Sequence, residues 1–250
     1  MSMIYTINHP VFKYQYIFFE DTPYNIDNFD VITFYHCKNA INIKDFKRTS
    51  DLTSIITLNL NIETLWENLH HKVRQKIRNA EKCGIKIQID KNYSEFRELY
   101  KNFKRKKGFG SPITLLPSKD NINKYGFLLT SELDGDILSG AQFIHEKDKI
   151  IIWSLASKRL ESKEIAKKCS YSNHLLIWEA IKYAKQIGVT EWDWAGLFSE
   201  ERIITDKSKE GPNNFKLSFG GTITTLYNYQ KLSKQYELSA KVYNVINKQK

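Results

Sequence analysis

Residues 127–156 read FLLTSELDGDILSGAQFIHEKDKIIIWSLA, and this stretch decides the fold. Phe127–Leu133, Ile137–His145 and Lys149–Ala156 are apolar and β-prone. Between them lie only Asp134-Gly135-Asp136 and Glu146-Lys147-Asp148, and short polar turns join antiparallel neighbours. The pattern predicts a β-meander. A loop over Ser157–Ser172 then leads into a predicted helix at Asn173–Gln186, whose apolar stripe includes Leu176, Ile177, Ala180, Ile181 and Ala184. Gly188 closes that helix, and a short strand, Thr190–Trp194, follows at once. An antiparallel meander followed by strand, loop, helix and strand places the chain in the α+β class.

Upstream of the meander the period changes. Asn61–Cys83 carries Leu65, Leu69, Val73, Ile77 and Ala80 at three- and four-residue spacing, which predicts one long helix with an apolar face. Gly84 supplies a C-cap. The opposite face is basic, with Lys72, Arg74, Lys76, Arg78 and Lys82. Ile85–Ile89 alternates as a half-buried strand, and Tyr93–Lys107 reads as a second helix ending in a basic run. Before residue 60, strands are predicted at Phe12–Phe19, Asp30–Cys37 and Ser54–Leu60. Beyond the meander an irregular polar stretch runs to Phe215-Lys216-Leu217-Ser218-Phe219-Gly220-Gly221, followed by a strand at Thr222–Tyr229 and a basic C-terminal helix. No repeat and no Gly/Ser- or Pro-rich linker divides the chain. A single domain over 1–250 is therefore expected: divergent strands in 1–60, a core in 61–230 and the helix in 231–250.

Composition narrows the function classes. Hydrophobic residues at 41 % exclude a disordered chain. No apolar run is long enough to span a bilayer, and the first residues show no basic segment followed by an apolar one, so a cytoplasmic protein is expected. Cys37, Cys83 and Cys169 are far apart and have no histidine at zinc spacing, so structural thiols are expected and no metal site. The formal charge of +10 favours polyanionic ligands, although a lysine-rich solvated surface gives the same number. His70 and His71 are adjacent and point to different helix faces, while His145 and His174 stand alone, so none forms a ligand pair. No phosphate-binding P-loop, dinucleotide fingerprint or serine nucleophile elbow is present.

Three local patterns carry a family resemblance. The helix with Arg74, Ile77, Arg78, Ala80 and Gly84 resembles the opening segment of the Fem transferases, a GNAT-fold (Gcn5-related N-acetyltransferase) family that adds amino acids to peptidoglycan precursors. Glu191-Trp192-Asp193-Trp194-Ala195-Gly196 resembles that family's aromatic-Asp strand end, and Phe215-Lys216 with Phe219-Gly220-Gly221 resembles its F-K-x-x-F-G-G motif. The patterns span roughly residues 60–230. The resemblance implies a GNAT-like mixed, largely antiparallel sheet flanked by helices. It also puts Lys216 in the active site against the acyl donor, with Phe215 beside it on the substrate. A fixed ammonium there stabilises the oxyanion formed when an amine attacks an ester or thioester. Asp193 is a candidate to accept the ammonium proton, and equally a buried anchor for the following loop.

Cofactor and substrate sites follow from charge and position. In GNAT enzymes the loop before the crossover helix holds the pyrophosphate of coenzyme A. Here that place offers Lys167, Lys168, Ser170, Ser172 and Asn173 but none of the usual glycines. Arg74 and Arg78, four apart, are candidates to grip a phosphate of the acceptor. The function expected is N-acyl transfer from acyl-CoA to a primary amine, with a nucleotide-linked amino sugar of surface-polysaccharide synthesis as the favoured acceptor. One alternative keeps the Fem chemistry, with an aminoacyl-tRNA donor and a peptidoglycan-precursor acceptor. Against it, the chain shows no coiled-coil arm, and sixty N-terminal residues are short for a second domain. The other alternative is a non-catalytic RNA-binding module, in which aromatic strands stack bases beside basic helices.

Overall fold

The computed structural model describes residues 3–8, 10–108 and 119–239. Its chain folds into two compact units, residues 54–223 and a second unit made of 1–53 with 224–250. These boundaries differ from the linear division into 1–60, 61–230 and 231–250. The small unit is closed by the return of the chain after residue 223.

In the larger unit the meander forms as predicted: β6 (Gly126–Leu133), β7 (Asp136–Glu146) and β8 (Lys149–Ser157) pair antiparallel in sequence order. Alternation along β6 assigns its two faces. Phe127 and Leu129 join the main core, whereas Leu128 joins a separate cluster with Phe96 and Ala156. The sheet order in this unit is β4-β9-β8-β7-β6-β5, with β4 at Lys47–Thr57, β5 at Lys86–Ile89 and β9 at Glu191–Asp193. All pairs are antiparallel except β8 with β9, so the fold is a mixed, largely antiparallel α+β sheet flanked by helices.

The main core is formed against α1 (Ile62–Asn68), α2 (His71–Lys82) and α5 (Lys163–Gln186). Leu65, Val73, Ile77, Leu176 and Ile181 are among its members. Against the other face lies α3 (Tyr93–Lys106), whose Phe96 is fully buried. A Cβ on Gly140 would stand 2.4 Å from the Phe96 ring, so only glycine lets α3 sit this close to β7. A short helix, α4 (Lys119–Tyr125), precedes β6.

Two expectations are corrected. The predicted helix over Asn61–Cys83 is two helices, broken at Leu69-His70. Leu69 is extended, and the His70 N–H donates to Ser218 O at 2.9 Å. The break keeps Leu65, Leu69 and Val73 on one face, so the apolar period runs through it unseen. The predicted loop over Ser157–Ser172 is mostly helix, because α5 begins at Lys163 behind an N-cap from Ser162. Its early turns bury Ser172, whose Oγ meets Ser139 Oγ at 2.5 Å and also Ser131 Oγ. A core-facing serine satisfied by two strand serines reads as polar in the sequence.

The smaller unit is a sheet of β1 (Met3–Asn8), β2 (Lys13–Phe18), β3 (Val31–Cys37) and β10 (Thr222–Leu232). Strands β2 and β3 are parallel, and the other pairs antiparallel. Ile17, Ile32, Phe34, Cys37 and Tyr229 form its core. Helical residues 234–239 follow β10, and residues 240–250 of the expected C-terminal helix lie outside the described residues.

Between α5 and β10 the chain forms β9, α6 (Glu200–Thr205), a 3-10 turn and α7 (Glu210–Leu217). It then turns through Gly220 and Gly221, both at positive φ. A Cβ on Gly221 would lie 2.8 Å from Ile55 O and 2.5 Å from Ser54 Oγ. Left-handed strain and backbone overlap therefore add at one position. Gly221→Ala is expected to lower unfolding stability by at least about 2 kcal/mol in chemical denaturation. A smaller loss would mean the turn can move away from β4.

Candidate active site

The site begins where a strand pair ends. β8 and β9 pair for only three residues, from Lys149↔Glu191 to Ile151↔Asp193. After Asp193 the chain stays with β4, the Trp194 N–H donating to Ser54 O at 3.2 Å, and parts from β8. Ala195 and Gly196 adopt φ of 58° and 102° and turn the chain away. A positive φ at a non-glycine residue costs energy that the surrounding contacts must hold. Here the Ala195 N–H donates to Asp193 Oδ1 at 2.9 Å, which steadies the turn.

The fork opens into a cleft of about 520 Å³. Ile152–Leu155 of β8 form one wall, Trp194 and Ala195 another. Helix α5 contributes Ala166, Ser170, Asn173 and His174 at helical spacing, and α7 closes the cleft with Phe215 and Lys216. Lys76 and Arg159 complete its charged lining, and no carboxylate lines it among the described residues.

Lys216 is the most perturbed cation there. Burial pushes its ammonium down to about 8, against the opposing pull of Asp193. Its Nζ donates to Gly196 O, the carbonyl released by the turn. The His174 ring is 5 % exposed, and burial pushes it down to about 4, helped by the charge of Lys76. It is therefore neutral near pH 7. Nδ1 donates to Ser170 O at 2.6 Å, which leaves Nε2 as an acceptor. The ring stands among Phe215 (centroids 4.9 Å) and Phe219 (5.7 Å), and Trp194 touches both phenylalanines. Asn173 Oδ1 and Trp194 Nε1 are buried with no hydrogen-bond partner among the described residues. Such groups are rare unless a ligand or water meets them.

Comparison with known proteins bears on the architecture. No protein-family model matches the chain, and no curated protein sequence matches it. Solved structures do. FemX superposes with a TM-score of 0.61 at 15 % identity, covering 98 % of this chain and 86 % of FemX. The C-terminal domain (DUF2156) of a putative lysylphosphatidylglycerol synthetase from Agrobacterium fabrum gives 0.56 at 10 %, covering 97 % and 89 %. L-PGS from Bacillus licheniformis gives 0.53 at 12 %, covering 95 % and 83 %. The fold is GNAT-like and resembles the Fem domains. At these identities the likeness is one of fold.

Of the residues singled out in the sequence, Lys216, Phe215, Ser170 and Asn173 come together in the cleft. Asp193 lies beside Lys216 but outside the lining, as the anchor of the turn. The remaining residues of the expected phosphate loop lie outside the cleft lining: Ser172 is fully buried against β6 and β7, Lys167 is exposed on α5, and Lys168 pairs with Glu164 at 3.4 Å. Arg74 and Arg78 do not line the cleft either. Arg74 donates to the carbonyls of Trp66, Glu67 and Leu69 and so caps the end of α1. Arg78 lies 5.7 Å over the Trp66 ring. Lys76 and Arg159 were not picked out as cleft residues. Lys76 carries no local signal that separates it from its basic neighbours on α2.

Two measurements test these assignments. Arg74→Ala is expected to cost about 1–3 kcal/mol of stability, as three carbonyls lose a charged donor, with Arg78→Ala near neutral. Equal effects in denaturant titrations would overturn the capping role. Lys216 binds fewer protons folded than unfolded between about pH 8 and its ordinary 10.5, so wild-type stability rises with pH across that window. Lys216→Met is expected to melt above wild type at pH 7, with the gap closing as the pH passes from 8 to 10.5. A pH-independent gap would mean the ammonium is not buried at a cost.

Proposed function

We propose that the cleft transfers an acyl group from an ester or thioester donor to a primary amine. The observation that carries this is Lys216, a half-buried ammonium in a cleft that no carboxylate lines among the described residues, with a pKa well below the ordinary lysine range. The acceptor nitrogen attacks the donor carbonyl, and the carbonyl oxygen becomes an oxyanion. Lys216 Nζ turns from Gly196 O to that oxygen. Collapse of the intermediate breaks the bond to the leaving thiolate or alkoxide, which takes up the proton lost by nitrogen. Alignment of the two substrates between β8 and α7 supplies much of the rate. One neighbour in fold is named as a domain of a putative lysylphosphatidylglycerol synthetase, a name compatible with this class. A non-catalytic RNA-binding module gives no reason for a buried lysine facing a cleft.

In the first form of the proposal acyl-CoA is the donor and a nucleotide-linked amino sugar the acceptor. The stretch of β8 beyond Ile151 lines the cleft, and an extended strand there suits an extended, amide-bearing chain such as pantetheine. The second form has an aminoacyl-tRNA donor and a peptidoglycan-precursor acceptor. Two observations favour it. The phosphate loop expected for coenzyme A is helix. The chain also covers 86 % of FemX in superposition and divides into two compact units.

A thermal-shift titration with coenzyme A, acetyl-CoA and total tRNA separates the two donors, because a ligand of the native state raises the melting temperature. A saturable rise with coenzyme A supports the first form, and a rise with tRNA alone the second. With the donor so identified, Lys216→Ala is expected to lower its turnover about 10²–10³-fold while the fold is kept. Wild-type kcat should fall as the pH rises through about 8, where Lys216 loses its proton. Near-wild-type turnover by the variant would sink the role of Lys216.

A further inference from the structure

A second groove, of about 580 Å³, adjoins the active-site cleft. Lys76, His174, Gly211 and Phe215 line both. The groove adds His70, Lys72, Asn214 and Leu217, and among the described residues no carboxylate lines it. The contrast with a third cavity on the same unit is sharp: Glu95, Glu98, Glu132, Asp136 and Glu161 line that one with a single lysine. Of these three cavities, the two that adjoin are lined by cations and the third by carboxylates.

Lys72 and Lys76 are one helical turn apart on α2. Neither forms an ion pair or side-chain hydrogen bond among the described residues. Lys76 is half-buried, and burial first, then the charge of Lys72, push its ammonium down. Like charges four apart on a helix repel, and desolvation worsens the repulsion. An anion between them would relieve both. The third donor is defined by its tautomer. His70 Nδ1 accepts from the Lys72 N–H at 3.3 Å, which leaves Nε2 as the ring nitrogen able to donate. The same bond caps the first turn of α2, so the groove presents side-chain donors rather than a bare helix end.

We infer that this groove is a phosphate subsite, in which Lys72, Lys76 and His70 hold a pyrophosphate or phosphate ester of a small-molecule substrate whose reacting end lies at Lys216. It rests on the proposed transferase only for the position of that reacting end. The subsite takes over the phosphate role expected of Arg74 and Arg78, which are engaged elsewhere on the same helix.

Binding of inorganic pyrophosphate, followed by calorimetry and thermal shift at low salt, tests the subsite without any turnover. Saturable binding is expected. It should weaken at least about tenfold in Lys76→Gln and in Lys72→Gln. Each variant should melt no lower than wild type without ligand, since a repulsion has been removed. Lys216→Ala should bind pyrophosphate as wild type does, so failure of the transferase mechanism leaves this result standing. Lys168→Gln, which alters an exposed ion pair on α5, is the matched control and should also bind normally. Absence of binding by wild type, or equal binding by wild type and Lys76→Gln, overturns the subsite. UDP and coenzyme A then distinguish the sources: the one that competes with pyrophosphate carries the phosphate held there. If neither competes and only tRNA does, the small-molecule assignment is overturned.

Discussion

The site depends on the brevity of one strand. β9 gives β8 three paired residues and then leaves with β4. Had the parallel pair continued, Ile152–Leu155 would face a neighbouring strand and no cleft would exist. The departure also forces the turn at Ala195-Gly196, and that turn presents the carbonyl to which Lys216 donates. Asp193 holds the turn through the Ala195 N–H and partly offsets the burial of the Lys216 ammonium. One carboxylate thus serves both the shape of the fork and the electrostatics of the cation within it.

Much of this architecture was legible before the structure, wherever local period and core-facing side agree. The meander, α3 and the C-terminal half of α5 appear within a residue or two of expectation. The failures share a cause. At Leu69-His70 the chain breaks without shifting the apolar phase, so periodicity alone had no mark to find. In the first turns of α5 the inward position is Ser172, polar by type and satisfied only by serines about forty and thirty residues earlier. The smaller unit closes when β10 pairs with β3 across nearly two hundred residues, a relation no local pattern contains.

The basic helix α2 shows why charge by itself decides little. Lys72, Arg74, Lys76 and Arg78 look alike as a spaced set of cations. What separates them is what each one touches. Arg74 spends its charge on three carbonyls at the end of α1, and Arg78 on an indole face. The two lysines face a groove that no carboxylate lines among the described residues. The guanidinium fork suits several fixed acceptors at once, whereas an ammonium is a point charge that can wait in water for an anion. Structural work falls to the arginines for that reason, and the lysines remain for a ligand.

The Phe-Lys motif can be taken apart in the same way. Phe215 and Phe219 lie one turn apart and enter the same aromatic group with His174 and Trp194, which fixes the rotation of α7. Gly220 and Gly221 let the chain leave α7 at once and pass Ser54 and Ile55 too closely for any side chain at Gly221. With both ends of the short helix so constrained, the backbone of Lys216 is held beside the turn, and its ammonium reaches Gly196 O. Four of the five motif residues thus serve geometry, and together they aim the fifth, Lys216, at Gly196 O.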